Sequence, residues 1–222
     1  MINQIWKHFQ RPECGWDPVP EEYAERYAKR EFSALDIALV DEVAAWAGGL
    51  NGKTLLDLGG GPGQYAIEFA RRGARVHWHD ISENYLKVYQ REAGIGKLTT
   101  ASTLGYMDDA TGEYDVVFNR VCWYYCVSDG AFARKVVSLV RPGGAGYLII
   151  NTDRYLENAW QRMPPLQRLK QKLFYALNDR FSLKVGHIMP SHRKIERLFR
   201  AMPLQSLETG YRGEMTMVRF RR

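Results

Sequence analysis

The stretch Leu55-Leu56-Asp57-Leu58-Gly59-Gly60-Gly61-Pro62-Gly63 decides the fold of this chain. Residues 54–58 are typical of a buried strand, and they run directly into a turn that holds four glycines. Residues 65–72 then have the pattern of a helix, which Gly73 ends. A strand, a glycine-rich turn and a helix in this order predict the first unit of a doubly wound α/β sheet.

Strands and helices alternate along the rest of the chain. Parallel neighbours in a sheet need crossover connections, so this alternation predicts a mostly parallel sheet with helices on both faces. The last two strands, joined around Gly210 and Gly213, are predicted to form an antiparallel hairpin. The fold class is therefore α/β, a doubly wound sheet of seven strands. The predicted strands cover residues 54–58, 76–79, 98–103, 114–119, 146–151, 204–209 and 215–220, and the predicted helices cover residues 21–30, 34–47, 65–72, 82–92, 131–140 and 191–202.

Length and composition limit the class of protein. The 222 residues are 45% hydrophobic and 25% charged, which suits one sizeable core, so we expect a single domain over residues 1–222. No apolar run approaches the roughly 20 residues that cross a bilayer, and the first residues lack the apolar part of a secretory signal. These features predict a soluble cytoplasmic protein. The three cysteines show no paired zinc spacing, so neither a disulfide framework nor a metal site is expected.

Positive charge is concentrated in the last third of the chain. The net charge is +6, and residues 160–222 hold 14 Lys or Arg against 4 Asp or Glu. An anionic partner would explain this asymmetry, and a solvated basic face without a partner would explain it equally well.

The glycine loop predicts a ligand site. In a doubly wound sheet, ligands bind at the carboxyl ends of strands where the strand order reverses, and glycines let the backbone approach a ligand closely. Residues 61–66 also fit the G-x-G-x-x-A variant of the dinucleotide fingerprint, which leaves an NAD-binding protein as an alternative. Asp57 counts against NAD, because a carboxylate repels a pyrophosphate and attracts an ammonium or sulfonium group.

Several motifs match one known family in the right order. Residues 57–63 have the pattern Asp-x-Gly-x-Gly-x-Gly, and Asp80 closes the predicted second strand. Residues 114–120 match a fourth-strand motif, and residues 139–144 match the turn into the fifth strand. On these residues the chain resembles the class I methyltransferases that use S-adenosylmethionine (SAM). The resemblance runs from about residue 20 to the C-terminus.

The resemblance implies a Rossmann-like methyltransferase fold that holds SAM at the glycine loop. In that family the acid after the second strand binds the ribose hydroxyls, the apolar residue after it contacts adenine, and the end of the fourth strand lines the methionine part. Residues 1–48 correspond to an N-terminal helical lid. The implied cofactor-binding residues are Tyr27, Asp57, Gly59, Gly60, Gly61, Gly63, Gln64, Asp80, Ile81, Thr103, Leu104, Asn119 and Arg120.

The chain departs from the family after its third strand. Members often carry an acid there that binds the adenine amine, whereas this chain has Ser102-Thr103-Leu104, with Asp108 as the nearest acid beyond. We expect the adenine contact to come from Thr103 or Leu104.

Residues 152–190 form an insertion between the fifth strand and the last helix. The topology places this segment over the cofactor cleft, where it would build the acceptor pocket. Within it, leucines recur at helical spacing among basic residues, at positions 166, 169, 173 and 177. We expect an amphipathic helix that caps the core, with contact to a membrane surface or an acidic partner as the alternative.

Two residues are predicted to act on the methyl acceptor. His187, just before the last helix, is the candidate base, because related enzymes often place acceptor contacts there and histidine has a suitable pKa. Arg120 is the candidate charge clamp for an anionic group. Residues 123–125, Trp-Tyr-Tyr, predict either a core cluster or phenols that orient the acceptor. The remaining candidates have structural or capping roles: His77, His79 and His192.

The predicted function is transfer of the methyl group of SAM to oxygen or nitrogen of a small, polar or anionic metabolite. An RNA methyltransferase is the first alternative, since the basic stretch could track phosphates. Residues 119–122 lack the Asn-Pro-Pro-Tyr-like pattern expected of many nucleic-acid methyltransferases, which disfavours it. An NAD-binding oxidoreductase and a non-catalytic partner protein with the same fold are further alternatives. The sequence determines neither the acceptor nor the oligomeric state.

Overall fold

A computed structural model describes residues 2–98 and 100–222. Met1, in the predicted lid, and Thr99, in the predicted third strand, lie outside the described residues. Three short 3-10 turns, at Pro12–Cys14, Met107–Asp109 and Trp123–Tyr125, join the regular elements. The described helices are α1 (Ile2–Phe9), α2 (Glu21–Ser33), α3 (Ile37–Ala47), α4 (Gln64–Arg71), α5 (Glu83–Ile95), α6 (Asp129–Leu139), α7 (Asp153–Gln161), α8 (Pro165–Phe181) and α9 (His192–Arg200). The described strands are β1 (Thr54–Leu58), β2 (Arg75–Asp80), β3 (Ala101–Leu104), β4 (Tyr114–Arg120), β5 (Val140–Ile150), β6 (Ser206–Arg212) and β7 (Met215–Arg221).

The seven strands form one sheet in the order β3-β2-β1-β4-β5-β7-β6. Strands β1 to β5 pair in parallel, and β7 is antiparallel to both β5 and β6. This arrangement confirms the predicted doubly wound sheet with its hairpin. The strand order reverses between β1 and β4, so a crevice is expected at the carboxyl ends of these two strands.

Helices on the two faces of the sheet make two hydrophobic cores. Leu55 of β1 packs in the core that contains Phe69 of α4, and Leu56 packs in the core that contains Phe132 of α6. Residues 55–58 are all buried, as expected for a central parallel strand covered on both faces. The glycine loop therefore starts from one of the most constrained parts of the molecule.

Capping side chains explain where two helices begin. Asp36 accepts a hydrogen bond from the Leu39 amide (3.0 Å), so α3 starts later than the sequence predicts, at residue 37 rather than 34. Ser128 caps α6 through the Ala131 amide (3.5 Å), and this helix starts earlier than predicted, at residue 129 rather than 131. The sequence pattern does not predict α1.

Helices α7 and α8 make up most of the insertion at residues 152–190. Leu166, Leu169 and Leu173 of α8 are 81%, 66% and 56% exposed and Leu177 is half-buried, so the prediction that these leucines cap the core is wrong for three of the four. The helix instead turns Asn178, which is buried, toward the sheet. Over the described part of the chain, no helix has the length and apolar content needed to cross a membrane.

Candidate active site

The glycine loop is closely packed on one side and open on the other. Gly59 and Gly63 have φ of +73° and +87°, and a Cβ at these positions would overlap Cys122 and Tyr89 respectively. Among the residues that the structure describes, no atom lies within 4 Å of the corresponding position at Gly61, which faces open space. Glycine is therefore required at the packed positions, and the open position leaves room for a ligand against the backbone.

Asp80 joins the end of β2 to the glycine loop. Its Oδ2 accepts a hydrogen bond from the Gly61 amide (2.9 Å), and its Oδ1 accepts one from the Ser82 amide (3.0 Å). Trp78 Nε1 donates to the Gly61 carbonyl (3.0 Å), so both backbone polar groups of Gly61 are held by β2. Burial raises the pKa of Asp80. Ile81 follows, half-buried.

Asp57 is an almost completely buried acid, 2% exposed, at the end of β1. Burial, together with the negative charge of Asp80, raises the pKa of Asp57 to about 7. A carboxyl group in such surroundings favours a positively charged ligand, because a nearby cation offsets both the lost hydration and the like charge.

Three buried oxygen atoms around the loop have no hydrogen-bond donor among the described residues: Asp57 Oδ2, Gln64 Oε1 and Asn119 Oδ1. The amide nitrogen of Asn119 donates to the Leu58 carbonyl (2.7 Å), which fixes the orientation of that side chain. A buried acceptor without a donor costs about 1–3 kcal/mol. The three atoms would be satisfied by a protonated amine, so they fit the methionine end of SAM.

The two candidates for the adenine contact point to opposite faces of the sheet. Thr103 pairs with His79 and Leu104 pairs with Asp80 in the register of β2 and β3. The Thr103 hydroxyl lies 2.8 Å from His79 Nδ1 and 2.9 Å from His77 Nε2. Because alternate strand residues point to opposite faces, Leu104 shares a face with Asp80. The geometry thus favours Leu104 over Thr103, and either contact stays a prediction.

The residues expected to be structural make contacts within the protein. His77 Nδ1 lies 2.7 Å from the Tyr114 hydroxyl, and burial lowers the pKa of both His77 and His79. His192 at the start of α9 contacts the Thr216 hydroxyl (2.9 Å). The carboxylate of Asp108 accepts from the amide of residue 127 (3.2 Å).

A cavity of about 510 Å³ opens at the carboxyl ends of β4 and β5. Arg120 lines the cavity from the end of β4, with the residue after it, Tyr27 lines it from α2, Tyr155 from α7 and Arg212 from the end of β6. The cavity therefore joins the N-terminal helical region, the end of the parallel sheet and the insertion. It has the location predicted for an acceptor pocket.

Arg120 is the less constrained of the two arginines in this cavity. Its Nη1 is 3.8 Å from a Glu31 carboxylate oxygen, and its guanidinium lies 5.1 Å from the centre of the Tyr65 ring. Arg212, by contrast, is paired with Asp36 (2.6 Å) and with residue 42 (3.2 Å). Arg120 is accordingly better placed to meet an anionic group.

Val121 has a strained backbone, which no sequence pattern predicts. Its φ is +61°, a conformation that a β-branched residue rarely adopts and that costs about 1–3 kcal/mol. The amide of Val121 donates to the Ile149 carbonyl (2.8 Å), which holds it in place. The strain lies directly after Arg120, at the wall of the cavity.

His187 lies against aromatic residues that follow β4. Its ring is edge-on to Tyr125 with a centroid distance of 4.7 Å, and Tyr125 is 4.3 Å from Tyr124. Partial burial and the positive charge of Lys184 lower the pKa of His187, so its imidazole is neutral at neutral pH. It does not line the 510 Å³ cavity.

Known proteins resemble this chain most clearly around the glycine loop. Residues 55–144 match a family model described as a methyltransferase domain. The ubiquinone biosynthesis O-methyltransferase of Pseudomonas paraeruginosa is 32% identical over 124 residues, which are 53% of this chain and 51% of that protein. The protein of the same name from Shewanella pealeana is 28% identical over 157 residues, or 67% of this chain and 61% of that one. The chain thus spans about half to three-fifths of these curated relatives.

Solved structures share the fold. A Methanococcus maripaludis protein assigned to the SAM-dependent methyltransferases superposes with a TM-score of 0.64, covering 91% of this chain and 93% of that one at 14% identity. Magnesium protoporphyrin IX methyltransferase from Synechocystis, with bound SAM, gives a TM-score of 0.56, covering 83% and 79% at 17% identity. Residues 55–144 are thus similar to a methyltransferase domain, and the fold is that of the class I SAM-dependent methyltransferases. SAM is the cofactor of this class.

No sequence pattern predicts a buried charge cluster at the start of α6. The side chain of Asp129 at the start of α6 is ion-paired with Lys184 (2.8 Å) and Lys194 (2.9 Å), and all three side chains are at most 2% exposed. Asn178 of α8 donates to the same carboxylate (2.8 Å). The two ammonium groups lower the pKa of Asp129 to about 2. This cluster fastens the insertion to α6 and α9.

The structure brings most of the predicted SAM-binding residues together at the carboxyl ends of β1, β2 and β4. Thr103 points to the face of the sheet opposite that of Leu104 and Asp80, and His187 contacts Tyr125 after β4 without lining the 510 Å³ cavity. Sequence reasoning missed Val121 and Tyr155. Their only signals were the position of Val121 after the fourth strand and that of Tyr155 early in the insertion.

Proposed function

We propose that this methyltransferase transfers the methyl group of SAM to an oxygen atom of a small, polar or anionic molecule. The proposal rests on the cavity beside the glycine loop, because Arg120 lines the cavity and its charge also acts on Asp57. The naming of curated relatives as O-methyltransferases supports oxygen over nitrogen. In this proposal residues 1–48 form the lid, and residues 152–190 form the acceptor side of one domain.

The cofactor side is proposed to work through charge and hydrogen bonding. Bound SAM supplies an electrophilic methyl group on a sulfonium. Asp57, Gln64 and Asn119 accept hydrogen bonds from its methionine end, while Asp80 binds the ribose hydroxyls. Ile81 and Leu104 contact adenine in the proposal, and Tyr27 closes over the cofactor from α2.

The acceptor side is proposed to align and deprotonate a hydroxyl group. Alignment of the nucleophile with the methyl group supplies much of the rate acceleration in a single displacement. Arg120 holds the anionic group of the acceptor. A neutral ring nitrogen of His187 accepts the hydroxyl proton, which its lowered pKa allows at neutral pH.

Transfer of label from methyl-labelled SAM to small molecules of a cell extract would identify the acceptor. With that acceptor, His187→Ala should lower turnover by about a hundredfold and leave SAM affinity unchanged. His8→Ala, which removes an exposed histidine of α1, is the matched control. Wild-type turnover in His187→Ala would show that alignment alone accounts for catalysis.

Calorimetry with SAM and with NAD tests the cofactor of the proposed reaction separately. We expect binding of SAM and none of NAD, because two buried or partly buried acids, Asp57 and Asp80, flank the loop. Binding of NAD without SAM would overturn the proposed function.

Methylation of RNA is the weaker candidate. The basic stretch at residues 160–222 favours it, yet several of its charges are already paired within the protein. Lys184 and Lys194 pair with Asp129, Arg212 pairs with Asp36, and Arg219 pairs with Glu208. A gel shift with tRNA that weakens steeply with salt would favour RNA.

A further inference from the structure

Helix α8 presents an apolar face to solvent. Leu166, Leu169 and Leu173 are more than half exposed, and we name these three residues the leucine face. Phe181 and Leu183, at the end of the helix and just beyond it, are 60% and 57% exposed. Isolated exposed leucines are ordinary on protein surfaces, but a row of them on one helix marks an interaction surface.

Two lysines flank the leucine face on opposite sides. Successive residues of an α-helix are rotated by about 100°, which places Lys170 on one side of Leu173 and Lys172 on the other. Both lysines are exposed, and no ion pair forms at either of them within residues 2–98 and 100–222. The helix carries four basic residues and one acid, Asp179. The surface is therefore both apolar and cationic.

Contacts on the opposite side of α8 fix its rotation. Asn178 donates to buried Asp129 and accepts from Lys194 Nζ (2.8 Å for each bond). The Tyr175 ring meets Trp160 of α7 edge-on, with 5.4 Å between centroids. Turning the leucine face inward would break these contacts and leave the Asp129 cluster incomplete. Its exposure is thus a stable property of the fold.

We propose that the leucine face docks on the surface of an anionic lipid bilayer. An interfacial helix buries its apolar side at the headgroup boundary while flanking lysines extend to lipid phosphates, and α8 has this distribution of residues. A second copy of the chain is a poorer occupant, because pairing two such faces would bring like charges together. This inference is independent of the proposed function.

Sedimentation with vesicles tests the inference. The full-length protein is mixed with vesicles of phosphatidylcholine and phosphatidylglycerol in a two-to-one ratio, and with vesicles of phosphatidylcholine alone. We expect binding to the anionic vesicles that is at least tenfold stronger than to neutral ones and that weakens with salt. The double variant Leu169→Ser/Leu173→Ser should bind anionic vesicles at least tenfold more weakly than the wild type. Lys170→Glu/Lys172→Glu should abolish the preference for anionic lipid.

Ile95→Ser is the matched control, since Ile95 is a 73% exposed apolar residue on α5. It should bind vesicles like the wild type, and circular dichroism with thermal unfolding should show all variants folded. Three results would overturn the inference. The first is no sedimentation with anionic vesicles at low salt, and the second is equal binding by the double leucine variant. The third is light scattering that shows a dimer for the wild-type protein and a monomer for the double leucine variant, since the leucine face would then bind a second copy.

Discussion

The glycine loop and the insertion at residues 152–190 are positioned by different means. The loop is fixed by hydrogen bonds to the strands beside it, and the buried acid Asp57 keeps one carboxylate oxygen without a hydrogen-bond donor among the described residues. The insertion is fixed by a fully paired charge cluster around Asp129, and its outer surface is apolar and cationic. Acids that lack positive partners are suited to binding a cationic ligand, whereas paired charges are suited to holding a segment in place. Substitutions in the two regions should therefore affect different properties of the protein.

The largest expected effect is on stability, from Asp129→Ala. The change leaves Lys184 and Lys194 buried without a counter-charge, which should lower the free energy of unfolding by about 3–5 kcal/mol in urea titrations. Asp41→Ala removes an exposed partner of Arg72 and should cost less than about 1 kcal/mol. SAM affinity of folded Asp129→Ala should match the wild type; a large loss would mean that the cluster also shapes the cofactor site.

Asp80→Ala should weaken SAM binding more than tenfold, because a charge-assisted contact to the ribose is lost. Calorimetry on the purified variant measures this directly. Asp108→Ala is the matched control, since Asp108 is a partly buried acid at a different loop. Equal losses in both variants would indicate a general effect of removing an acid, and unchanged affinity in Asp80→Ala would remove Asp80 from the site.

SAM affinity should depend on pH through Asp57. The pKa of Asp57 in the free protein is about 7, so protonation competes with binding of the cation, and affinity should fall about 25-fold between pH 7.5 and 5.5. The stability of the free protein should depend on pH in the opposite direction. Its folded state holds the proton between the usual carboxyl pKa and about 7, so this contribution to stability declines as pH rises through that window. Asp57→Asn should flatten the binding profile; a flat wild-type profile would contradict the assignment.

Arg120→Gln should give the smallest change, about a fivefold rise in KM for the acceptor. Arg120 is partly exposed and loosely paired, so its attraction to an anionic group is partly screened. The affinity for SAM should change by a smaller factor than the KM for the acceptor. If only SAM affinity changes, Arg120 belongs to the cofactor side and not to the acceptor side.

The sequence predicted the strand and the glycine loop well because their determinants are local. The strand, the loop and Asp57 are contiguous, and the glycines that packing requires are those that the motif contains. Asp80 could be located because the end of a parallel strand has a defined place in the fold. The orientation of Thr103 was harder to predict. A shift of one residue in the register of a strand turns each of its side chains to the opposite face of the sheet.

The packing of the insertion was predicted less well because its determinants are distant in sequence. All of β5, α7 and α8 separates Asp129 from Lys184 and Lys194, and no local pattern reveals that the three residues meet. Helical spacing of leucines predicts one apolar face and gives no indication of what that face contacts. The position of Asn178 beside Asp129 decides that the leucines of α8 face outward.

The place of β7 in the sheet has a consequence for synthesis on the ribosome. β7 lies between β5 and β6, yet all of residues 151–214 separate the end of β5 from its start. At about 5–20 residues per second, β5 remains an open sheet edge for roughly 3–13 s, and the space that Phe220 fills against Gly146 stays empty. An unpaired edge is a template for strands of other chains. Intermolecular pairing therefore competes with folding during this interval, and slower translation of residues 151–214 should lower the yield of folded protein.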